Sequence, residues 1–85
     1  MEVVGKIQGY DVVYIPEKHL VFCKNTAIPL KVILEILKSK EQKTYIPAKK
    51  LWITKDSDII SFGCITTTMD NINNINKQII KCQKK

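Results

Sequence analysis

The chain contains no arginine; all fourteen of its basic residues are lysine. Arginine is the usual bidentate reader of guanine and of phosphate, whereas lysine acts as a point charge. Guanine-specific readout of a nucleic acid is therefore not expected. Glycine is scarce as well: Gly5, Gly9 and Gly63 lie scattered along 85 residues. That scatter contains no glycine-rich phosphate loop. The single histidine, His19, stands four residues from Cys23. On a strand this is roughly 13 Å, too far for both to reach one metal ion.

Cysteine is limited to Cys23, Cys64 and Cys82, an odd number without C-x-x-C spacing. This is neither a disulfide framework nor a zinc site. No second histidine is present to activate a thiol, and Asp56 and Asp58 read as turn residues rather than an acid–base pair. No catalytic, metal-binding or cofactor-binding constellation can be assembled from these residues. The expectation is a protein that is not an enzyme, carries no cofactor and has no small-molecule substrate.

Long apolar runs are missing too. The longest uncharged stretch, Ile59 to Met69, is too short and too polar to cross a bilayer. The opening MEVVGKIQGY lacks the basic segment and apolar run of a signal peptide. With unpaired cysteines, these features predict a reducing, cytoplasmic setting and no membrane association.

What is present suits one small folded domain spanning 1–85. A chain of this length buries roughly 60–65% of the surface that its unfolded form exposes. Apolar residues make up 45%, enough for one modest core. The formal charge is +6. Isoleucine is as common as lysine, and asparagine clusters between 71 and 76. That combination points to an AT-rich coding sequence, which by itself accounts for part of the lysine excess. A small AT-rich reading frame of this profile fits an accessory or inhibitor protein of a phage or mobile element, acting by occluding a host protein or nucleoprotein complex.

The periodicity predicts an α+β fold. Val3–Ile7, Tyr10–Ile15 and His19–Lys24 read as strands, separated by Gln8-Gly9 and by Pro16-Glu17-Lys18. Pro29 then fits the first turn of a helix that carries Leu30, Ile33, Leu34 and Leu37 at helical spacing, its stripe widened by Val32 and Ile36. The order repeats. Thr44–Ile46, Lys50–Thr54 and Ile59–Ile65 are strand-like, and Thr67 with Asp70 resembles a capping box before a second helix. That helix presents Met69, Ile72, Ile75 and Ile79 on one face.

A gapless shift of 39 residues superposes the landmarks. Ile7 falls on Ile46, Val12 on Leu51, Tyr14 on Ile53, Val21 on Ile60, Cys23 on Phe62 and Ile33 on Ile72. The expectation is two βββα units, 1–40 and 41–85, each an antiparallel meander followed by a helix, packed as an internal pseudo-dimer. Val12, Tyr14, Val21 and Cys23 should face the core in the first unit, and Leu51, Ile53, Ile60 and Phe62 in the second.

The opposite faces differ in character. In the second unit Lys43, Tyr45, Lys50 and Trp52 share the outer face with Ser61 and Gly63, and Lys49 and Lys55 add charge at the strand ends. Aromatic faces accept bases without sequence preference and lysines hold phosphates, so this combination predicts non-specific, electrostatic and salt-dependent binding of nucleic acid. In the first unit Val13, Ile15, Leu20 and Phe22 form an apolar outer face. The other unit, a second copy of the chain or a partner protein could cover it. A protein–protein interaction module or homodimer is thus the alternative function.

Overall fold

The computed structural model describes residues 1–47 and 50–84. Four strands precede each helix. β1 (Glu2–Ile7), β2 (Tyr10–Ile15), β3 (Leu20–Cys23) and β4 (Thr26–Pro29) lead into α1 (Leu30–Lys38). β5 (Lys43–Ile46), β6 (Leu51–Asp56), β7 (Ile59–Phe62) and β8 (Ile65–Thr68) lead into α2 (Met69–Gln83). The fold is α+β, with two antiparallel four-stranded meanders that keep the strand orders β1-β2-β3-β4 and β5-β6-β7-β8. They are called sheets A and B below.

The fourth strand of each sheet departs from the expected three. Lys24 and Asn25 both take positive φ, +49° and +62°, which is the two-residue turn that matches the twist of a hairpin. The chain therefore reverses into β4, and Pro29 ends that strand as the N-cap of α1 rather than starting the helix. In sheet B, Gly63 at φ +60° breaks the apolar run from Ile59 to Ile65 into two strands. The N-cap of α2 is Thr68, one residue beyond the expected Thr67; its hydroxyl accepts from the Asn71 amide at 3.1 Å.

Alternation places the core as expected. Val12, Tyr14, Val21 and Cys23 are buried in sheet A, and Ile53, Ile60 and Phe62 in sheet B, with Leu51 packed at the margin. α1 buries Val32, Ile33 and Ile36, and α2 buries Ile72, Ile75 and Ile79. Leu34, which helical spacing assigns to the apolar stripe, is exposed. These residues from both halves form one cluster.

The 39-residue offset holds for most elements and fails for one. β7, β8 and the starts of both helices lie 39 residues beyond β3, β4 and α1. Val21 pairs with Ile28 and Ile60 with Thr67, the same register at that offset. β6 is different. Val13 lies opposite Phe22, whereas Thr54 lies opposite Ser61, so Thr54 takes Val13's place and Ile53 takes that of Val12. The pairing of Val12 with Leu51 and of Tyr14 with Ile53 is thereby corrected. Two residues have moved between links: sheet A has two between β1 and β2 and four between β2 and β3, and sheet B reverses this. A slip of two residues keeps every side chain on its original face, which is why the core assignment survives.

One helix, α2, crosses onto the other half. α2 packs most extensively on β1, and also meets β8 and α1, whereas α1 leans on β4 and α2. Among the described residues no helix is long and apolar enough to cross a membrane.

Candidate functional site

The outer face of sheet B is organised by β5 and β6. The Lys55 amide donates to the Gln42 carbonyl at 2.7 Å, just beyond the β5–β6 pairing. Hydrogen-bonded pairs alternate along an antiparallel ladder, so Tyr45 and Trp52, three pairs along, form a non-hydrogen-bonded pair. In such pairs the Cα atoms approach to about 4.5 Å and side chains stand closest. The two rings accordingly meet at 5.0 Å between centroids, tilted by 51°. Both remain open to solvent: Trp52 is 59% exposed and Tyr45 42%.

Lys43 lies opposite Thr54, and with Trp52 they line a shallow hollow of about 220 Å³. Thr54 continues across the sheet to Ser61 and then Thr66, so a polar row Lys43–Thr54–Ser61–Thr66 spans all four strands. The Ser61 and Thr66 hydroxyls are 3.4 Å apart. Lys50 sits in the β5–β6 turn rather than on β6; its backbone is left-handed at φ +51° and its amide donates to the Pro47 carbonyl.

One expected member, Lys55, is not on this face. Lys49 lies outside the described residues. Lys55 occupies the place that Tyr14 has in sheet A and points inward, where its ammonium donates to the Ser39 carbonyl just past α1. Tyr14 does the analogous thing, its hydroxyl accepting from Gln83 near the end of α2 at 3.4 Å. Lys55 therefore ties β6 to a helix end.

The corresponding positions in sheet A carry opposite chemistry. Val3 opposes Val13, Val13 opposes Phe22, and Phe22 opposes Ala27, an apolar row across four strands. Ile15 and Leu20 pair beside it. Val13, Ile15 and Leu20 are half-buried, whereas Phe22 is 41% and Val3 60% exposed. Val3 and Phe22 thus leave part of this outer face open to solvent. Val3, Ala27, Thr54 and Thr66 belong to these rows although sequence reading missed them; cross-strand register, which strand boundaries alone do not supply, brings them in.

Elsewhere the titratable groups are dispersed. His19 is an exposed, left-handed turn residue. Cys23 is buried and burial pushes its thiol up; nearby Lys24 opposes that shift, and Asp11 and Cys64 add to it. Among the described residues no three His, Cys, Asp or Glu side chains converge as a metal site requires. Comparison with protein-family models, curated proteins and solved structures finds no match for this chain.

Proposed function

We propose that this protein is a non-enzymatic binding module that takes single-stranded nucleic acid on the outer face of sheet B. The observation carrying this reading is the Tyr45–Trp52 pair, two contacting rings left exposed on a sheet whose other face is core. Tyrosine and tryptophan are enriched at interfaces because their rings offer large flat contact areas, so two neighbouring exposed rings suit stacking. Base–aromatic stacking contributes about 1–3 kcal/mol per base and is tolerant of sequence. Lys43 and Lys50 stand at the two ends of the β5–β6 hairpin, suited to phosphates on either side of stacked bases. The hydroxyl row of Thr54, Ser61 and Thr66 offers further donors without a guanine-reading fork.

The footprint is small. Two phosphate contacts on a single strand give a slope of log affinity against log salt of about −1.4, or roughly a sevenfold loss between 50 and 200 mM. Trp52 is the sole tryptophan, so its emission reports binding directly. Titration with random fifteen-nucleotide single strands should quench it with that slope, and Trp52→Ala with Lys50→Ala should abolish a mobility shift. No binding at about 50 mM salt sinks the proposal, and tighter binding of duplex than of single strands removes stacking from it.

The apolar row Val3–Val13–Phe22–Ala27 supports a second reading, a protein contact or homodimer through sheet A. Sedimentation of Phe22→Asp beside the parent chain tests it; an unchanged monomer in both discards the homodimer. We also read the chain as an internal pseudo-dimer of two ββββα units. Matching register at the 39-residue offset supports this, as do the paired helix-end contacts of Lys55 and Tyr14.

A further inference from the structure

The two sides on which the halves meet are not alike. On one side α2 closes over β1: the Asn71 side-chain amide donates to the Lys6 carbonyl at 2.7 Å, and Ile75 lies directly over Gly5. On the other side the corresponding residues are Val32 on α1, with Tyr45 and Thr44 on β5, each 39 residues away. Val32 has no amide to offer a strand edge. Thr44 carries a branched side chain where Gly5 has none, and its hydroxyl is engaged 2.8 Å from that of Ser39. α1 consequently stands off β5 and leaves a groove of about 500 Å³.

Four consecutive residues of one strand and its turn, Thr44, Tyr45, Ile46 and Pro47, line that groove against Val32 and Glu35. Consecutive strand residues point to opposite faces, so a groove that touches all four borders the strand's edge. β5 is the outermost strand of sheet B. Because Tyr45 is in a non-hydrogen-bonded pair, its N–H and C=O turn away from β6 toward that open edge. The groove thus pairs an apolar hollow with a backbone donor and acceptor at strand spacing, the two elements used when an extended peptide adds to a sheet. Charge complementarity sets the occupant's flanks. The groove and the hollow adjoining it carry Lys31, Lys38 and Lys40 against Glu35 and Glu41, and Lys43 begins the edge strand.

We propose that this groove takes an extended segment of a partner protein, an aliphatic residue flanked by carboxylates, added as a fifth strand along β5. Its backbone pairs with Tyr45, its aliphatic side chain fills the space between Val32 and Ile46, and its acidic flanks meet Lys31 and Lys43. This site shares Lys43 with the outer face of sheet B but is otherwise distinct from it, because it uses the backbone of Tyr45 and not its ring.

The test is selection of displayed random ten-residue peptides on the full chain, followed by affinity measurement of the enriched sequences as free peptides. Enrichment of alternating aliphatic residues with Asp or Glu flanks is expected. A scan of N-methyl groups along such a peptide should find one position that weakens binding by about tenfold, the one facing Tyr45. The surface variants Lys31→Glu and Lys43→Glu, which leave the core intact, should together weaken it by about three- to tenfold. Trp52→Ala should leave peptide affinity unchanged even if nucleic-acid binding is lost. Absence of enrichment, indifference to N-methylation throughout, or a dimer in sedimentation that the two lysine variants dissolve would each overturn the proposal, the last by giving the groove to a second copy.

Discussion

A Cβ atom placed on Gly5 would lie 2.8 Å from Cγ1 of Ile75, nearer than packed carbons tolerate. The contact joins the first strand to the last helix, and Ile75 is fully buried, so it has little room to yield. Gly5→Ala should destabilise the fold by about 1–3 kcal/mol through overpacking. Urea unfolding checks this, and Ile75→Ala, which removes the Cγ1 atom, should cost less in the Gly5→Ala background than in the parent chain. Equal stability of Gly5→Ala and the parent would mean that α2 shifts freely on β1.

The Tyr45–Trp52 pair should contribute little to folding. Trp52 lies mainly in water and Tyr45 is only partly covered, so their coupling in a double-mutant cycle should be about 0.5–1.5 kcal/mol. Trp52→Ala alone should shift the urea midpoint only slightly. In the native protein Trp52 emission should be red-shifted and readily quenched by acrylamide. A blue-shifted, protected emission would place the indole in an interior and remove it from any binding face.

The cap of α2 carries more than its own helix. Asn71 gives its backbone N–H to Thr68 and its side-chain amide to both Lys6 and Thr67, at 2.7 and 2.8 Å. Thr68→Ala should cost about 1 kcal/mol, the usual loss for an N-cap threonine. Asn71→Ala should cost about 0.5–1.5 kcal/mol and also speed amide exchange in β1, which Thr68→Ala should do less.

Thiol chemistry should separate Cys64 from Cys23. Cys64 is exposed and should alkylate quickly with iodoacetamide, whereas Cys23 should react only through unfolding. Burial raises the Cys23 thiol above its unfolded value. The folded chain therefore holds that proton more tightly than the unfolded chain does. Its contribution to stability is fully present below about pH 8.5 and is lost as pH rises from there toward the raised folded value. Cys23→Val should flatten that alkaline decline in urea midpoints measured from pH 7 to 10.

Face assignment was legible because the strand period is two and survives the two-residue slip of β6. Tyr45 and Trp52 could be assigned to one outer face by alternation alone. Lys55 could not be judged by its position at a strand end; counting the same alternation from Trp52 puts it inward, under the helix end it holds. The fourth strands were hidden by residues that carry weak turn signals. Lys24-Asn25 needs two left-handed residues and only Asn25 advertises one, and Cys64 disguises the Gly63 turn as continuous strand. The α1–β5 groove was illegible, since it depends on how far one helix stands from one strand, a consequence of Thr44 lying where Gly5 lies in the other half.

The partnership of β1 with α2 bears on the order in which the chain is made. β1 is synthesised well before α2, the helix that is its principal cover. Until α2 has emerged, Val4 and Ile7 lack that cover and the sheet presents an apolar surface. The segment from β1 to α2 must be closed into a loop before this contact forms, so it belongs to the slow, late part of folding. The first half alone thus exposes the apolar surface, and the docking of α2 is the latch that closes it.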